Sequence, residues 1–352
     1  MRPSILQVHR WISLIFAGFW ALQAGTGIFL VFHWEIDDAL LQGSQRKLDI
    51  AAIEAQIDAI ENQGGKVGSL WESGGAPYRF DLYVDRPEKS EVLRIDGAGN
   101  ILRRRSDGQL IYDGGWIDAI VLLHHNLLSG DRGSWIVGLS GILLFTNLAI
   151  GGFVAWPGKG RWRRAMLPRL PSRGTPGHAY QSHRALGLWV VVPAMLSVGS
   201  GVMLVFSGAI ETLIAPEVVE APPATVRDRP VIGLTAAVGA ARREFPDTAV
   251  SGVSFPDEAT GTYRIRLNRA DDTRRVYGMT TVYVDAYDGR ILSTHDPLTA
   301  SRGRSFVDGL FPFHTGEMGG LTGRVAASMI GIWLLVMIWL GLALWYRRRR
   351  AR

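Results

Sequence analysis

Two stretches decide how this chain is read. The first is His9-Arg10-Trp11, an apolar run, and then Gly27-Ile28-Phe29-Leu30-Val31-Phe32; the second is His183-Arg184, a similar run, and then Gly201-Val202-Met203-Leu204-Val205-Phe206. In both, a histidine followed by arginine stands 18 residues ahead of the glycine. A second correspondence joins Trp116 to His124 and Phe306 to His314, each a spacing of 8, and both of these histidines have glycine at +6 (Gly130, Gly320) and +9 (Gly133, Gly323). The spacings read as one half-molecule used twice, with four histidines at matched positions beside apolar segments.

The apolar runs are too long and too clustered for a chain of soluble domains. Trp11 to Phe32, Trp135 to Trp156, Leu186 to Phe206 and Val325 to Trp345 contain no charged side chain, and each approaches the ~20 residues a helix needs to cross a bilayer. The first is expected to be a span and not a signal peptide, because Phe32-His33-Trp34-Glu35 follows it where a small-residue cleavage site belongs. Charge then sets the orientation. Arg2 and Arg10 precede the first span, Lys159, Arg161, Arg163, Arg164, Arg169, Arg173 and Arg184 lie between the second and third, and Arg347 to Arg350 and Arg352 follow the fourth, with no acidic residue among them. Lysine and arginine accumulate on the cytoplasmic side, so both termini are expected in the cytoplasm of a bacterial inner-membrane protein. The net charge of +6 follows from this topology and from contact with anionic lipid, and nucleic-acid binding is not expected. With no cysteine in the chain, thiolate metal sites, protein-held iron–sulfur clusters and disulfides are excluded.

Between the spans lie two polar segments with one order of elements. In the first, Leu48 to Asn62 carries Ile50, Ile53, Ile57 and Ile60 at helical spacing, and strands are expected at Lys66 to Trp71, Tyr78 to Val84, Glu91 to Ile95 and Ile101 to Arg105, the last two joined by Asp96-Gly97-Ala98-Gly99-Asn100. In the second, a helix over Leu234 to Phe245 precedes strands at Val250 to Phe255, Thr262 to Leu267, Thr281 to Asp285 and Arg290 to Ser293. Pro216 and Pro222-Pro223 mark an irregular connection into it. The expected fold is therefore an integral membrane α-helical protein with four transmembrane helices in two pseudo-symmetric repeats and two extracytoplasmic α+β domains. Its parts are residues 1–34 (first span), 35–115 (first polar domain), 116–156 (interfacial helix and second span), 157–182 (basic loop), 183–210 (third span), 211–304 (second polar domain), 305–346 (interfacial helix and fourth span) and 347–352 (basic tail).

Ionisable groups at membrane depth are functional by default, which brings the histidines forward. His9 and His183 are matched at the cytoplasmic ends of the first and third spans, and His124 and His314 at the opposite face. A two-fold arrangement sets the members of each pair across an axis, and two axial imidazoles suit a haem iron. Zinc wants four ligands at one point, commonly with cysteine, and pairs on opposite faces cannot supply them. His125 is the alternative to His124; the match of Gly130 and Gly133 favours His124, and helical neighbours point about 100° apart. His33 reads as a surface or supporting residue, and His178 and His295 as solvated. Two haems, about a hydrocarbon thickness of ~30 Å apart before their size and tilt are counted, would carry single electrons across the membrane; Trp20, Phe16 and Phe145 lie in the spans between.

The signatures His9-Arg10-Trp11, Leu123-His124-His125-Asn126-Leu127-Leu128, His183-Arg184-Ala185-Leu186-Gly187-Leu188-Trp189 and Phe313-His314-Thr315-Gly316-Glu317 with Gly323-Arg324 resemble the PepSY-associated transmembrane family, over nearly the whole chain. The hairpins Asp96 to Gly99 and Asp285 to Gly289 resemble its PepSY domains, and His125 stands where that family often has arginine. The resemblance implies a ferric-siderophore reductase of the ferrioxamine reductase type, with two PepSY domains and two b-type haems, reducing a periplasmic ferric siderophore so that Fe(II) is released. The chain has no dinucleotide fingerprint, so a separate donor is expected: quinol, a flavodoxin- or ferredoxin-like carrier, or a reductase, with the basic loop suited to an acidic carrier. A homodimer is left open. The competing readings are a non-enzymatic PepSY module that binds or regulates peptides or partner proteins, and a di-haem electron-transfer protein with another acceptor.

Overall fold

The computed structural model describes residues 2–41, 43, 46–168, 176–215, 223–224, 230–270, 272, 274 and 276–350. Arg169, Arg173, Pro216, Pro222 and Arg352 lie outside the described residues. In chain order the elements are α1 (Arg2–Leu30), α2 (His33–Ala39), α3 (Ile50–Glu61), β1 (Lys66–Glu72), β2 (Arg79–Asp85), β3 (Glu91–Asp96), β4 (Ile101–Ser106), α4 (Gly115–Asn126), α5 (Gly130–Ala155), α6 (Trp162–Ala165), α7 (Pro176–Val205), α8 (Ser207–Ile214), α9 (Leu234–Glu244), β5 (Ala249–Ser254), β6 (Thr262–Asn268), β7 (Thr280–Asp285), β8 (Ile291–His295), α10 (Arg302–Thr315) and α11 (Gly320–Arg350). They fall into two compact units, one of residues 1–31, 120–207 and 313–352, the other of residues 32–119 and 208–312.

The first unit is a bundle of the four helices long and apolar enough to cross a membrane, Ser4–Leu30, Gly130–Ala155, Gly177–Val205 and Glu317–Arg350. α1 packs mainly on α5 and α11, and α7 packs mainly on the same two, so α1 and α7 stand diagonally across the bundle. Large apolar side chains such as Ile15, Leu139, Val192 and Trp339 are exposed on its outside, as hydrocarbon surroundings require and water would penalise. The helices outrun the apolar runs because the polar ends belong to the same helices. α7 starts at Pro176, where a missing N–H and fixed φ suit a first turn. His178, expected without helical context, is therefore helical. Beyond the end of α1, the Val31 carbonyl accepts Nη2 and Nε of buried Arg324 at 2.6 and 3.2 Å, meeting the usual deficit at a helix C-terminus.

In the second unit every strand pairs antiparallel, in the order β4-β3-β2-β1-β5-β6-β7-β8. The sequence reads as two separate sheets; the structure joins them, with Ser69, Leu70 and Trp71 of β1 opposite Ser254, Val253 and Gly252 of β5. Pairing these edges removes two rows of open N–H and C=O groups. α3 and α9 bury Ile53, Ile57, Ala237 and Ala241 with Leu70, Leu82, Val253 and Ile265 in one shared core. Glu54 of α3 accepts the Thr235 N–H in the first turn of α9 at 3.1 Å.

The opposite face of the first half is closed by α2. Arg94 of β3 meets Asp37 at 2.8 Å, Asp38 at 2.9 Å and Asp81 at 2.6 Å; Arg103 meets Asp37 at 2.6 Å and Arg79 meets Asp38 at 3.2 Å. Three arginines thus face three carboxylates. Burial works to raise the Asp37 carboxyl, but the hydrogen bond from Arg103 and the charges of Arg94 and Arg103 outweigh it and hold it below the ordinary value.

Candidate cofactor site

His9 of α1 and His183 of α7 meet across the bundle. Their ring centroids are 6.4 Å apart and the planes are inclined at 64°. An imidazole nitrogen binds a metal at about 2 Å, and this separation leaves room for one metal atom between the two rings. His9 Nδ1 lies 3.1 Å from the Asn147 carbonyl oxygen. Asn147 is itself buried, and its Nδ2 donates to Ser13 Oγ (2.9 Å), which donates to the His9 carbonyl (2.7 Å). Holding a proton on Nδ1 leaves the Nε2 lone pair for a metal and fixes the ring plane. His183 Nδ1 is buried short of a full hydrogen bond, facing the Met337 backbone. Met337 stands 190 residues after Asn147, the interval that separates His124 from His314.

Glycines make the space. A Cβ on Gly151 would lie 3.0 Å from His9 Cε1, and one on Gly341 would lie 3.7 Å from His183 Cε1; these two glycines are also 190 residues apart. A cavity of about 200 Å³ adjoins the pair, walled by Ala17, Leu144 and Val191 and edged by Arg10, Arg184 and Arg348. Apolar walls with a cationic edge fit a flat apolar macrocycle bearing carboxylates, and the two imidazoles fit its iron; the residues present therefore suit haem. Trp20 lines the same cavity and bonds Ser140 Oγ at 3.0 Å, with Phe16 stacked on it at 5.5 Å. Phe145 instead lies against Gly199.

His124 and His314 repeat the arrangement at the ends of α4 and α10. A Cβ on Gly27 would come within 3.1 Å of His124 Cε1, and one on Gly201 within 2.8 Å of His314 Cε1. His124 Nδ1 lies 2.9 Å from Thr26 Oγ1. His314 Nδ1 lies 3.3 Å from Ser200 Oγ and 3.0 Å from the Ser197 carbonyl. The Gln23 carbonyl acts on His124 as Ser197 acts on His314. Burial, then the neighbouring His314 and His125, push His124 down to about 3, and burial also lowers His314, so both imidazoles are in the neutral form that binds metals. The +9 glycines close the turns that place them: a Cβ on Gly133 would strike the Asn126 carbonyl, and one on Gly323 the Gly316 carbonyl.

His125 lies with its ring 5.9 Å from that of His124. No hydrogen bond anchors it among the described residues, so His124 is the one whose surroundings match those of His314. His33 opens α2 in the second unit beside Trp34, ring centroids 4.6 Å apart. His295, expected to be solvated, is partly buried on β8 with Nε2 3.3 Å from Asp308 Oδ2. Among the described residues no three or more histidines, aspartates and glutamates gather in a metal-holding group. What the sequence reading missed is the dipeptide of a small hydroxyl residue and glycine, Thr26-Gly27 and Ser200-Gly201, whose 18-residue distance from His9 and His183 was legible but whose contact with His124 and His314 was not.

No protein of curated function matches the sequence closely. Over residues 6–348 it matches the family described as PepSY-associated TM region, a range that holds its histidines and all but the outer ends of the first and fourth apolar helices, and the chain belongs to this family.

Proposed function

We propose that the protein is a di-haem inner-membrane reductase that passes electrons across the bilayer to a periplasmic ferric siderophore, releasing Fe(II). The observation that carries the reading is the His9–His183 pair, two imidazoles facing across an apolar core at a 6.4 Å centroid separation, each with its outer edge on a glycine. His9 and His183 would hold the inner haem and His124 and His314 the outer one. A haem so held supplies reversible one-electron iron chemistry.

The chain's own groups do the rest. The Asn147 carbonyl and Ser13 hold the His9 ring, and Thr26, Ser200 and Ser197 hold the outer pair. Imidazoles held in this way would keep their orientation toward a bound haem in both of its oxidation states, which would lower the reorganisation a transferred electron demands. Apolar walls exclude water and lower the local dielectric, and Arg10, Arg184 and Arg348 would meet carboxylates at the cavity edge. With cytoplasmic termini, the donor would be quinol or a separate carrier or reductase. Each siderophore-held Fe(III) takes one electron and becomes Fe(II), which the chelator, built for Fe(III), holds less tightly.

Stopped-flow mixing of the dithionite-reduced, detergent-purified protein with ferric siderophores tests this. The reading predicts oxidation of a low-spin haem spectrum with Fe(II) trapped by a ferrous chelator. A colourless protein would favour a non-enzymatic PepSY module; a pigmented one inert to ferric siderophores but oxidised by another acceptor would favour a different electron-transfer role.

A further inference from the structure

The two halves of the eight-stranded sheet treat the same corner in opposite ways. Asp96 and Asp285 open equivalent hairpins, each accepting the N–H two residues on, from Ala98 and Tyr287. Counting from them, Asp81 opposite Arg94 corresponds to Arg264 opposite Tyr283, and Tyr83 to Arg266. Counting from Phe32 and Phe206, Asp37 and Asp38 correspond to Glu211 and Thr212. Where the first half has three arginines neutralised by three carboxylates, the second has Arg264 in place of Asp81 and Thr212 in place of Asp38, while Tyr283 and Thr262 stand in place of Arg94 and Arg79, so its arginines come from other positions and meet fewer acids.

What remains there is a hollow of about 500 Å³ bordered by Arg264, Arg266, Arg274, Arg304, Glu211 and Asp308. Asp308 is already engaged by Arg304 at 2.6 Å and by His295 at 3.3 Å, and Glu211 is 3.9 Å from Arg304. Arg264 and Arg266 have no carboxylate within ion-pair distance among the described residues, Asp308 acting on Arg266 only from farther off. Their guanidinium carbons sit 5.8 and 5.9 Å from the Trp71 ring centroid, and the Nε of each is buried without a hydrogen bond. Burial, then Arg274 and Arg264, push Arg266 down to about 10. A buried cationic donor left unmatched is costly, and planar guanidinium forks match carboxylates two bonds at a time.

We propose that this hollow binds a small polyanion carrying two or more carboxylates, which would meet Arg264 and Arg266 as the carboxylates of Asp37, Asp38 and Asp81 meet the arginines of the first half. Its volume lies within the range of small-molecule sites, ~300–1,000 Å³, and exceeds what a single phosphate fills. Resting on the reductase reading, the ferric chelate it implies is an anionic, carboxylate-bearing one.

Calorimetric titration of the full-length purified protein with iron-free citrate, and separately with inorganic phosphate, tests the site without any electron transfer, so that its failure and failure of the reductase reading are distinguishable. Saturable citrate binding that weakens with salt is expected, with phosphate at least about tenfold weaker. Arg266→Gln should weaken citrate by about tenfold or more, and Arg266→Lys by less. Thr212→Asp, which restores the acid of the first half, should abolish citrate binding while leaving the melting temperature unchanged or higher. No citrate binding in the native protein, phosphate binding as tight as citrate, or citrate affinity unaltered by Thr212→Asp and Arg266→Gln would each overturn the proposal.

Discussion

Gly201 lies so close to His314 that a Cβ there would come within 2.8 Å of the imidazole Cε1, while the hydroxyl of the preceding Ser200 stands 3.3 Å from the same ring's Nδ1. One dipeptide on α7 thus sets both how near the ring approaches and which nitrogen is tied up. Thr26-Gly27 does the same for His124 on α1. A contact below 3.0 Å cannot be absorbed without movement, because close-packed interiors have no slack of that size.

Gly201→Ala should therefore displace His314 and lower outer-haem content, whereas Gly341→Ala, whose Cβ would sit 3.7 Å from His183, should leave the inner haem in place. Pyridine haemochromogen quantification of the two variants checks this. Equal loss, or no loss, in both would show that the glycines do not position the rings.

On the proposed di-haem reading, removing one imidazole at a time separates the two centres. His183→Ala should cost the inner haem selectively and His314→Ala the outer one, since an imidazole lost from a two-ligand site leaves a weaker five-coordinate iron. Substitution of His125 by alanine should leave both, because its ring lacks the Nδ1 anchor that His124 shares with His314. Haem content and redox-difference spectra of the three variants distinguish these outcomes.

The ion-pair corner should fail as a unit. Arg94→Met strands Asp81 and leaves Asp37 and Asp38 with one arginine each, Arg103 and Arg79, around a buried apolar side chain, and breaking a buried pair from one side costs about 3–5 kcal/mol. Hydrogen exchange should rise in β2, β3 and β4 and stay slow in α1, α5, α7 and α11. Protection unchanged across the sheet would show that the network contributes little.

Acid should act on the same corner. Asp37 is held below its ordinary 3.8 in the folded protein, so its stabilising contribution is fully present above that unfolded-state value and is lost as pH falls through the lower folded value. Exchange protection in β3 and β4 should hold at pH 5 and decline as pH drops below about 4, with Asp37→Asn less protected at pH 5 and flatter in its pH response.

Much of this was legible in the sequence because hydrophobic patterning acts locally. The apolar runs located α1, α5, α7 and α11, and the alternation of Phe80, Leu82 and Val84 placed β2. The joining of β1 to β5 was not legible, since two antiparallel edges carry no sequence mark of which edge they meet. Nor was the role of Asp37 and Asp38, which look like ordinary polar residues after a span until Arg94 and Arg103 arrive from strands far along the chain. His295 misled for the same reason: its partner Asp308 lies on α10, beyond the strand that carries it.

The most direct test of the central claim is the haem-to-protein ratio and oxidised low-spin spectrum of the purified chain, measured beside His9→Ala. Two haems per chain with bis-imidazole spectra, falling to one in the variant, are predicted. A chain without haem, or one whose haem content and spectrum are the same with and without the His9 imidazole, would contradict the account.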